Sequence, residues 1–124
     1  MNVEIFSGID LVEIARFQNL DPALRKRFFT RVFTANELEY IQDTDQRAAG
    51  IFAAKEACAK ALGCGIGLVR WVDIEITHTA ENQPYILLYA DALERSNQKQ
   101  ILSWSVSITH TRETAAAVVV AVAS

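Results

Sequence analysis

Residues 52–63 read Phe-Ala-Ala-Lys-Glu-Ala-Cys-Ala-Lys-Ala-Leu-Gly, so that two lysines and one carboxylate stand among small apolar residues. Alanine, lysine and glutamate favour a helix, which we predict from about residue 46 to residue 62, because the final glycine supplies a natural stop. On this helix Glu56 and Lys60 share one face, a turn apart, whereas Lys55 points elsewhere. A charge with so many apolar neighbours must be paired with an opposite charge or bound to a ligand.

The spacing of Glu56 and Lys60 leaves two interpretations open. A carboxylate and an ammonium four residues apart usually form a solvent-exposed ion pair worth ~0.3–0.5 kcal/mol. The small apolar neighbours favour a second interpretation, in which the carboxylate holds a cation and the ammonium faces the phosphate that the cation neutralises.

Length and composition restrict the class of protein. The chain has 124 residues, of which 51% are hydrophobic and 22% charged, as expected of one globular domain spanning residues 1–124. Its net charge of −3 argues against a general nucleic-acid binder. The longest apolar run, 115–123, is shorter than the ~20 residues of a membrane helix, and the N-terminal residues lack the pattern of a secretory signal. We therefore expect a cytoplasmic protein that binds neither nucleic acid nor membrane, with Cys58 and Cys64 as free thiols.

Alternating segments before and after the long helix predict strands. Period-two alternation of apolar and polar residues is clearest at 72–78, and the last two strands form a hairpin about a turn at 111–113. Thr34 and Glu37 fit a capping box, which begins a short helix that continues to about residue 42. Further strands are predicted at 3–12, 85–89, 101–110 and 115–122, with a short helix at 91–97. The expected fold is therefore α+β, a mostly antiparallel sheet packed against the long helix.

The segment from residue 16 to residue 31 is strongly basic in an otherwise acidic chain. Its charged residues are Arg16, Arg25, Lys26, Arg27 and Arg31, against Asp21 alone. Such asymmetry suggests an acidic partner, which complementary charge would steer and orient. The alternative is a solvated basic helix face, and composition alone fits both.

Three separated segments belong together. They are Gly-Ile-Asp-Leu-Val-Glu-Ile at 8–14, the lysine and glutamate run at 52–63 with the glycine loop that follows it, and Val-Ser-Ile-Thr-His-Thr at 106–111. In this order, within a chain of this length, they resemble the 4′-phosphopantetheinyl transferases of the holo-acyl-carrier-protein synthase type. The resemblance extends over nearly the whole chain, including the strand at 73–76 and the C-terminal hairpin.

This resemblance implies a transferase of lipid metabolism, which moves the phosphopantetheine arm of coenzyme A to a serine of a carrier protein and releases adenosine 3′,5′-bisphosphate. It also implies Mg²⁺ as cofactor, because charge builds on phosphate oxygens and one or two carboxylates plus phosphate satisfy this ion. The carboxylates implied are Asp10 and Glu56, with Lys60 directed toward the phosphates. Without the resemblance, an aspartate such as Asp10 near the end of a strand would be a turn or cap residue. Direct and water-mediated transfer of the serine proton both stay open.

The resemblance also assigns residues to coenzyme A. They are Lys55, Gly65, Gly67, Pro84, Ser107, His110 and Thr111, with His110 near the 3′-phosphate and Pro84 beside the adenine. Taken alone, these residues have plainer interpretations: the glycines as flexible loop residues, Pro84 as a turn residue and His110 as an edge-strand residue.

By the same resemblance, the acidic partner is an acyl carrier protein, and the enzyme is a homotrimer with active sites at the subunit interfaces. Carrier docking is assigned to Arg16, Arg25, Arg27, Phe28 and Arg31. One position departs from the family: Ile51 stands where an arginine is common. A cationic contact to coenzyme A is therefore missing, or is supplied by Arg47, Arg70 or a neighbouring subunit.

Two other functions compete with this one. A non-catalytic module that binds coenzyme A or a carrier protein would keep the fold, but the joint presence of Asp10, Glu56 and Lys60 speaks against it. A metal-dependent phosphate hydrolase needs more carboxylates at recognisable spacing than the chain offers. The physiological carrier, the choice between fatty-acid and polyketide synthesis, and the acceptance of acyl-coenzyme A depend on pocket shape and stay open.

Overall fold

Strands and helices alternate along the chain in the computed structural model, which describes residues 2–124. The strands are β1 (Glu4–Glu13), β2 (Ile74–His78), β3 (Pro84–Leu88), β4 (Ile101–His110) and β5 (Thr114–Ala123). The α-helices are α1 (Ala15–Gln18), α2 (Pro22–Val32), α3 (Ala35–Ile41), α4 (Asp45–Ala61) and α5 (Ala90–Gln98). The predicted α+β class is confirmed.

The strands form two antiparallel sheets instead of the single sheet expected. A three-stranded sheet has the order β1-β5-β4, and β2 pairs with β3 in a separate hairpin. In the larger sheet Asp10 lies opposite Ala117, which in turn lies opposite Ile108. The central strand is therefore the last one in the sequence, and β1 and β4 lie on either side of it.

Small residues line the inner face of the three-stranded sheet, where α4 crosses it. The inward-facing residues of β5 are buried and mostly alanine: Ala115, Ala117, Val119, Ala121 and Ala123. On β1, a Cβ atom added to Gly8 would overlap the backbone carbonyl of Ala57 in α4. Because no side chain separates the two backbones there, helix and sheet approach closely.

The outer face of the same sheet is apolar and exposed. Its large side chains come from alternate positions of β1 and β5, and Ile5, Ile9 and Leu11 are each 67–71% exposed. Val118 and Val120 continue this surface on β5. A patch of this kind on a small protein is typical of a surface that another protein chain covers.

The long helix and the capping box are confirmed. Helix α4 covers nearly the predicted residues, and Gly63, with φ of 77°, follows its end. Twelve of its residues are buried, so the expected lack of a broad solvated face is also confirmed. At the start of α3 the Thr34 side chain accepts from the Glu37 amide, and the Glu37 carboxylate accepts from the Thr34 amide.

Three boundaries differ from prediction. The strand expected at 72–78 begins at Ile74, because Trp71–Asp73 form a 3-10 turn in which Arg70 and the buried Asp73 cap one another. Pro84 begins strand β3 and is not confined to the preceding turn. Asp10 lies inside β1, which continues to Glu13.

Two expectations about the chain's environment can be compared with the structure. Among the described residues, no helix is long and apolar enough to span a membrane. Cys58 and Cys64 are free thiols, as predicted. Burial raises the pKa of Cys58 to about 12, so this thiol is a packing residue of the core.

Candidate active site

The three predicted catalytic residues meet where β1 runs beneath the second half of α4. Asp10 alternates with Gly8 on the inner face of β1 and therefore faces the helix. Lys60 donates to the Asp10 carboxylate at 3.3 Å and to the Ile9 carbonyl at 2.9 Å. Its side chain is 52% exposed and that of Asp10 is 17% exposed, so the pair lies at the edge of the core and is open to a ligand.

The electrostatics of this cluster indicate a cation site. Burial raises the pKa of the half-buried Glu56, and the negative charge of Asp10 raises it further, whereas Lys60 and Arg16 oppose the shift. The two carboxylates are therefore close enough to repel each other. A cation between them would remove that repulsion.

Arg16 belongs to this neighbourhood as well as to the basic segment. Its guanidinium lies over the Phe52 ring, 5.1 Å from the ring centre, and its charge acts on Glu56. The sequence assigned Arg16 to docking only. Its position just after the segment at 8–14 is the signal that could have linked it to the site.

A magnesium ion suits the carboxylates present. Among residues 2–124 there is no group of three or more histidine, cysteine, aspartate or glutamate side chains that could enclose a metal. Magnesium does not need such a group, because it keeps several waters and is commonly bound by one or two carboxylates plus substrate phosphates. Asp10 and Glu56 provide that minimal set.

Lys55 is not available to a ligand, so its assignment to coenzyme A is corrected. Its side chain is fully buried and forms an ion pair with Glu37, which is also fully buried. Glu37 accepts further hydrogen bonds from the amides of Thr34 and Ile76. Burial lowers the pKa of Lys55 and raises that of Glu37, while their mutual attraction opposes both shifts. Lys55 therefore fixes α4 to α3 and β2 from inside the core.

Pro84 and His110 line a common cavity of about 350 Å³, as the resemblance implied. The cavity lies between the first half of α4, the β2–β3 hairpin and the end of β4. Tyr40, His78 and Arg47 also line it, and neither of the first two was expected from the sequence. Their approach depends on the packing of α3 against β2, for which the chain carries no local signal.

The other residues assigned to coenzyme A lie elsewhere. Ser107 is exposed on the outer face of β4, because neighbouring strand residues point to opposite faces and Val106 points inward. The Thr111 hydroxyl accepts from the amides of Glu113 and Thr114 and so closes the β4–β5 turn. Gly65 and Gly67 have φ of 65° and 125° in the loop after α4, where only glycine is unstrained.

The carboxylate cluster and the cavity lie on different sides of α4 within one chain. Because successive helical residues turn by about 100°, Glu56 projects roughly 140° away from Ile51, which lines the cavity. The sheet separates them in the same way, since Asp10 is on β1, His110 is on β4, and β5 lies between these strands. Strands two places apart are about 10 Å from each other. Each chain therefore presents two half-sites, divided by its long helix.

One of the predicted docking residues is already engaged. Arg25 forms ion pairs with Asp43 at 3.1 Å and Asp45 at 2.7 Å, and its guanidinium lies over the Phe29 ring. Its assignment to docking is therefore corrected, because it ties α2 to the start of α4. Arg16, Arg27 and Arg31 are exposed, and Phe28 is half-buried against the rings of Phe17 and Phe52.

Comparison with known proteins agrees with this geometry. Residues 7–122 match the sequence model of the 4′-phosphopantetheinyl transferase superfamily. A holo-[acyl-carrier-protein] synthase from Alkaliphilus metalliredigens (strain QYMF) is 43% identical over 119 residues, covering 92% of this chain and 95% of the relative. One from Natranaerobius thermophilus is 36% identical over 113 residues, covering 89% and 90%. The crystal structure of Helicobacter pylori holo-[acyl-carrier-protein] synthase in complex with coenzyme A has a TM-score of 0.84 at 38% identity, covering 93% of this chain and 98% of that one.

Replacing Lys55 should destabilise the fold. Lys55→Met keeps the volume but leaves the Glu37 carboxylate buried without its partner, which costs about 3–5 kcal/mol of unfolding free energy. Urea denaturation followed by circular dichroism measures this loss. Lys26→Met, an exposed lysine of α2, is the matched control and should change stability by no more than about 0.5 kcal/mol. A Lys55→Met protein as stable as the control would show that the buried pair does not hold α4 in place.

Proposed function

This chain belongs to the 4′-phosphopantetheinyl transferase superfamily, and we propose that it transfers the 4′-phosphopantetheine group of coenzyme A to a serine of an apo acyl carrier protein. Relatives named holo-[acyl-carrier-protein] synthase are similar over most of their length, and a similar solved structure holds coenzyme A. The observation that carries the proposal is the cluster of Asp10, Glu56 and Lys60, which combines two repelling carboxylates with an ammonium beside them.

The reaction exchanges one phosphorus–oxygen bond for another. The serine oxygen attacks the β-phosphorus of coenzyme A, and its proton passes to a base. The bond from that phosphorus to the bridging oxygen breaks, and adenosine 3′,5′-bisphosphate leaves with the bridging oxygen and the electron pair. Negative charge grows on the leaving oxygen, so a fixed positive charge nearby lowers the barrier. We assign this role to Lys60, whose ammonium is held between the Ile9 carbonyl and the Asp10 carboxylate.

We propose Mg²⁺ as the cofactor, bound by Asp10 and Glu56. When bound, the ion would neutralise the pyrophosphate oxygens of coenzyme A. The mutual repulsion of the two carboxylates supports this assignment, because it makes the cluster a place where a hard cation is favoured. Lys60 alone satisfies only part of that charge.

The nucleotide end of coenzyme A fits the cavity beside Pro84 and His110. Its volume of about 350 Å³ falls within the range of pockets that enclose small ligands. Pro84 offers an apolar surface for the adenine, and His110 offers ring nitrogens to a phosphate. The glycine loop with Gly65 and Gly67 remains a proposed contact to the pyrophosphate through its backbone amides.

A complete active site requires two copies of the chain, and the assembly we propose is a homotrimer. In one chain α4 separates the carboxylate cluster from the cavity, so the cavity of one subunit would adjoin the carboxylates of the next. Such a contact joins two different surfaces and closes into a ring. The apolar outer face of the sheet, with Ile5, Ile9 and Leu11, supplies a surface for it. Ser107 and Thr111, which are not directed into their own cavity, would then lie near the subunit contact.

The exposed arginines of the basic segment are proposed to dock an acidic acyl carrier protein. Arg16 connects this surface to the chemistry, because its charge also acts on Glu56. A carrier held by Arg16, Arg27 and Arg31 would therefore present its serine close to the carboxylate cluster. Phe28, which is half-buried, can provide an apolar contact within the same surface.

Incubation with apo acyl carrier protein, coenzyme A and Mg²⁺ should yield a phosphopantetheinyl adduct, detected by mass spectrometry of the carrier. Glu56→Gln should lower the rate by about 100- to 1,000-fold while keeping the fold, because it removes one charged oxygen from the cation site. Chelation of Mg²⁺ should stop the wild-type reaction. Glu94→Gln, an exposed glutamate of α5, is the control and should keep full activity. Binding of coenzyme A without an adduct on any of several carriers would instead support a non-catalytic binding module.

Charge reversal at Arg27 should weaken use of the carrier. Arg27→Glu should raise the KM for apo carrier protein about tenfold, most strongly at low salt, since complementary charge steers the encounter. The KM for coenzyme A and kcat should stay close to wild type. Arg95→Glu on α5 is the matched control. An equal rise in both KM values, or no change in the carrier KM, would remove Arg27 from the docking surface.

A further inference from the structure

Arg47 lies one helical turn before Ile51 and lines the same cavity. Ile51, which is 1% exposed, contributes only an apolar side chain where related chains commonly carry an arginine. Residues four apart share a helix face, so Arg47 presents a guanidinium to the cavity from nearly the same direction. The cavity beside Pro84 and His110 therefore contains a positive charge despite the isoleucine.

This guanidinium is held in position by α3. One Nη of Arg47 donates to the backbone carbonyl of Tyr40 at 2.8 Å, and its Cζ lies 4.9 Å from the centre of the Tyr40 ring. The other side of that ring stacks on His78, with the ring centres 3.9 Å apart and the planes at 15°. The guanidinium and the two rings form a stack at the wall of the cavity, which limits the freedom of a long side chain.

The charge of Arg47 is also left without an acidic partner. Among residues 2–124, no carboxylate lies within ion-pair distance of its guanidinium, unlike Arg25 and Arg70, which pair with aspartates. Burial lowers the pKa of His78, and the charge of Arg47 lowers it further, so this imidazole is neutral at neutral pH. Arg47 is therefore the fixed cation of this wall, and it retains donors for an anion.

We propose that Arg47 binds the 3′-phosphate of coenzyme A and makes the enzyme select coenzyme A over its 3′-dephospho form. The planar guanidinium offers two parallel donors to a phosphate, which is the geometry of a strong charge-assisted contact. In this chain the arginine would thus occur one turn earlier on α4 than in relatives. The inference rests on the proposed function, because that function places the nucleotide of coenzyme A in this cavity.

Isothermal titration calorimetry with two nucleotides tests the assignment without requiring turnover. Adenosine 3′,5′-bisphosphate and adenosine 5′-monophosphate, which differ by the 3′-phosphate, are titrated into the wild type, Arg47→Gln and the control Arg95→Gln. Arg47→Gln should weaken binding of the bisphosphate by about 10- to 100-fold, the effect of one lost hydrogen bond to a charged group. Binding of the monophosphate should change by less than about twofold, and the control should bind both as the wild type does.

Two results would overturn the assignment. One is unchanged discrimination between the two nucleotides in Arg47→Gln. The other is an equal loss of affinity for both, which would make Arg47 a support for Tyr40 and His78 only. The proposed function fails separately, by the absence of a carrier adduct in a wild-type protein that still discriminates the nucleotides. With the adduct formed, Arg47→Gln should also raise the KM for coenzyme A but not that for 3′-dephospho-coenzyme A, and kcat should be unchanged.

Discussion

The close approach of α4 to the three-stranded sheet is the constraint on which the rest of the molecule depends. It requires Gly8, because any side chain there would overlap the Ala57 carbonyl, and it requires the small residues that β5 presents to the helix. With the backbones this near, a short aspartate on β1 reaches residues of the helix. The Asp10 carboxylate, the Lys60 ammonium and the Glu56 carboxylate can then form a single cluster.

The rotation of α4 about its own axis matters as much as its depth. Lys55 and Glu56 are neighbours in sequence, yet the first ends in the core against Glu37 and the second faces Asp10. A buried ion pair of this kind tolerates little movement, since loss of either partner leaves an uncompensated charge. The pair therefore sets which residues of α4 face the carboxylate cluster and which face the cavity that contains Arg47.

Local patterns predicted the parts of the structure that depend on local interactions. The long helix, the capping box of Thr34 and Glu37 and the C-terminal hairpin follow from propensity, spacing and turn residues. Contacts between distant segments could not be predicted in this way. Glu37 was recognised as a capping residue, but its bond to Lys55 depends on how two helices meet. The ion pairs of Arg25 and the stack of Tyr40 on His78 likewise arise only in the tertiary structure. Asp10 came from the family resemblance, since its separation from Glu56 has no period.

The central claim is that the carboxylates of one subunit act with the cavity of another. Complementation tests it most directly: Glu56→Gln and His110→Ala chains, carrying different tags, are co-expressed, and assemblies containing both are purified. At a coenzyme A concentration where each variant alone is nearly inactive, the mixed assemblies should transfer phosphopantetheine well above either parent, because some sites combine an intact Glu56 with an intact His110. Activity no greater than the average of the two parents would contradict a site shared between subunits.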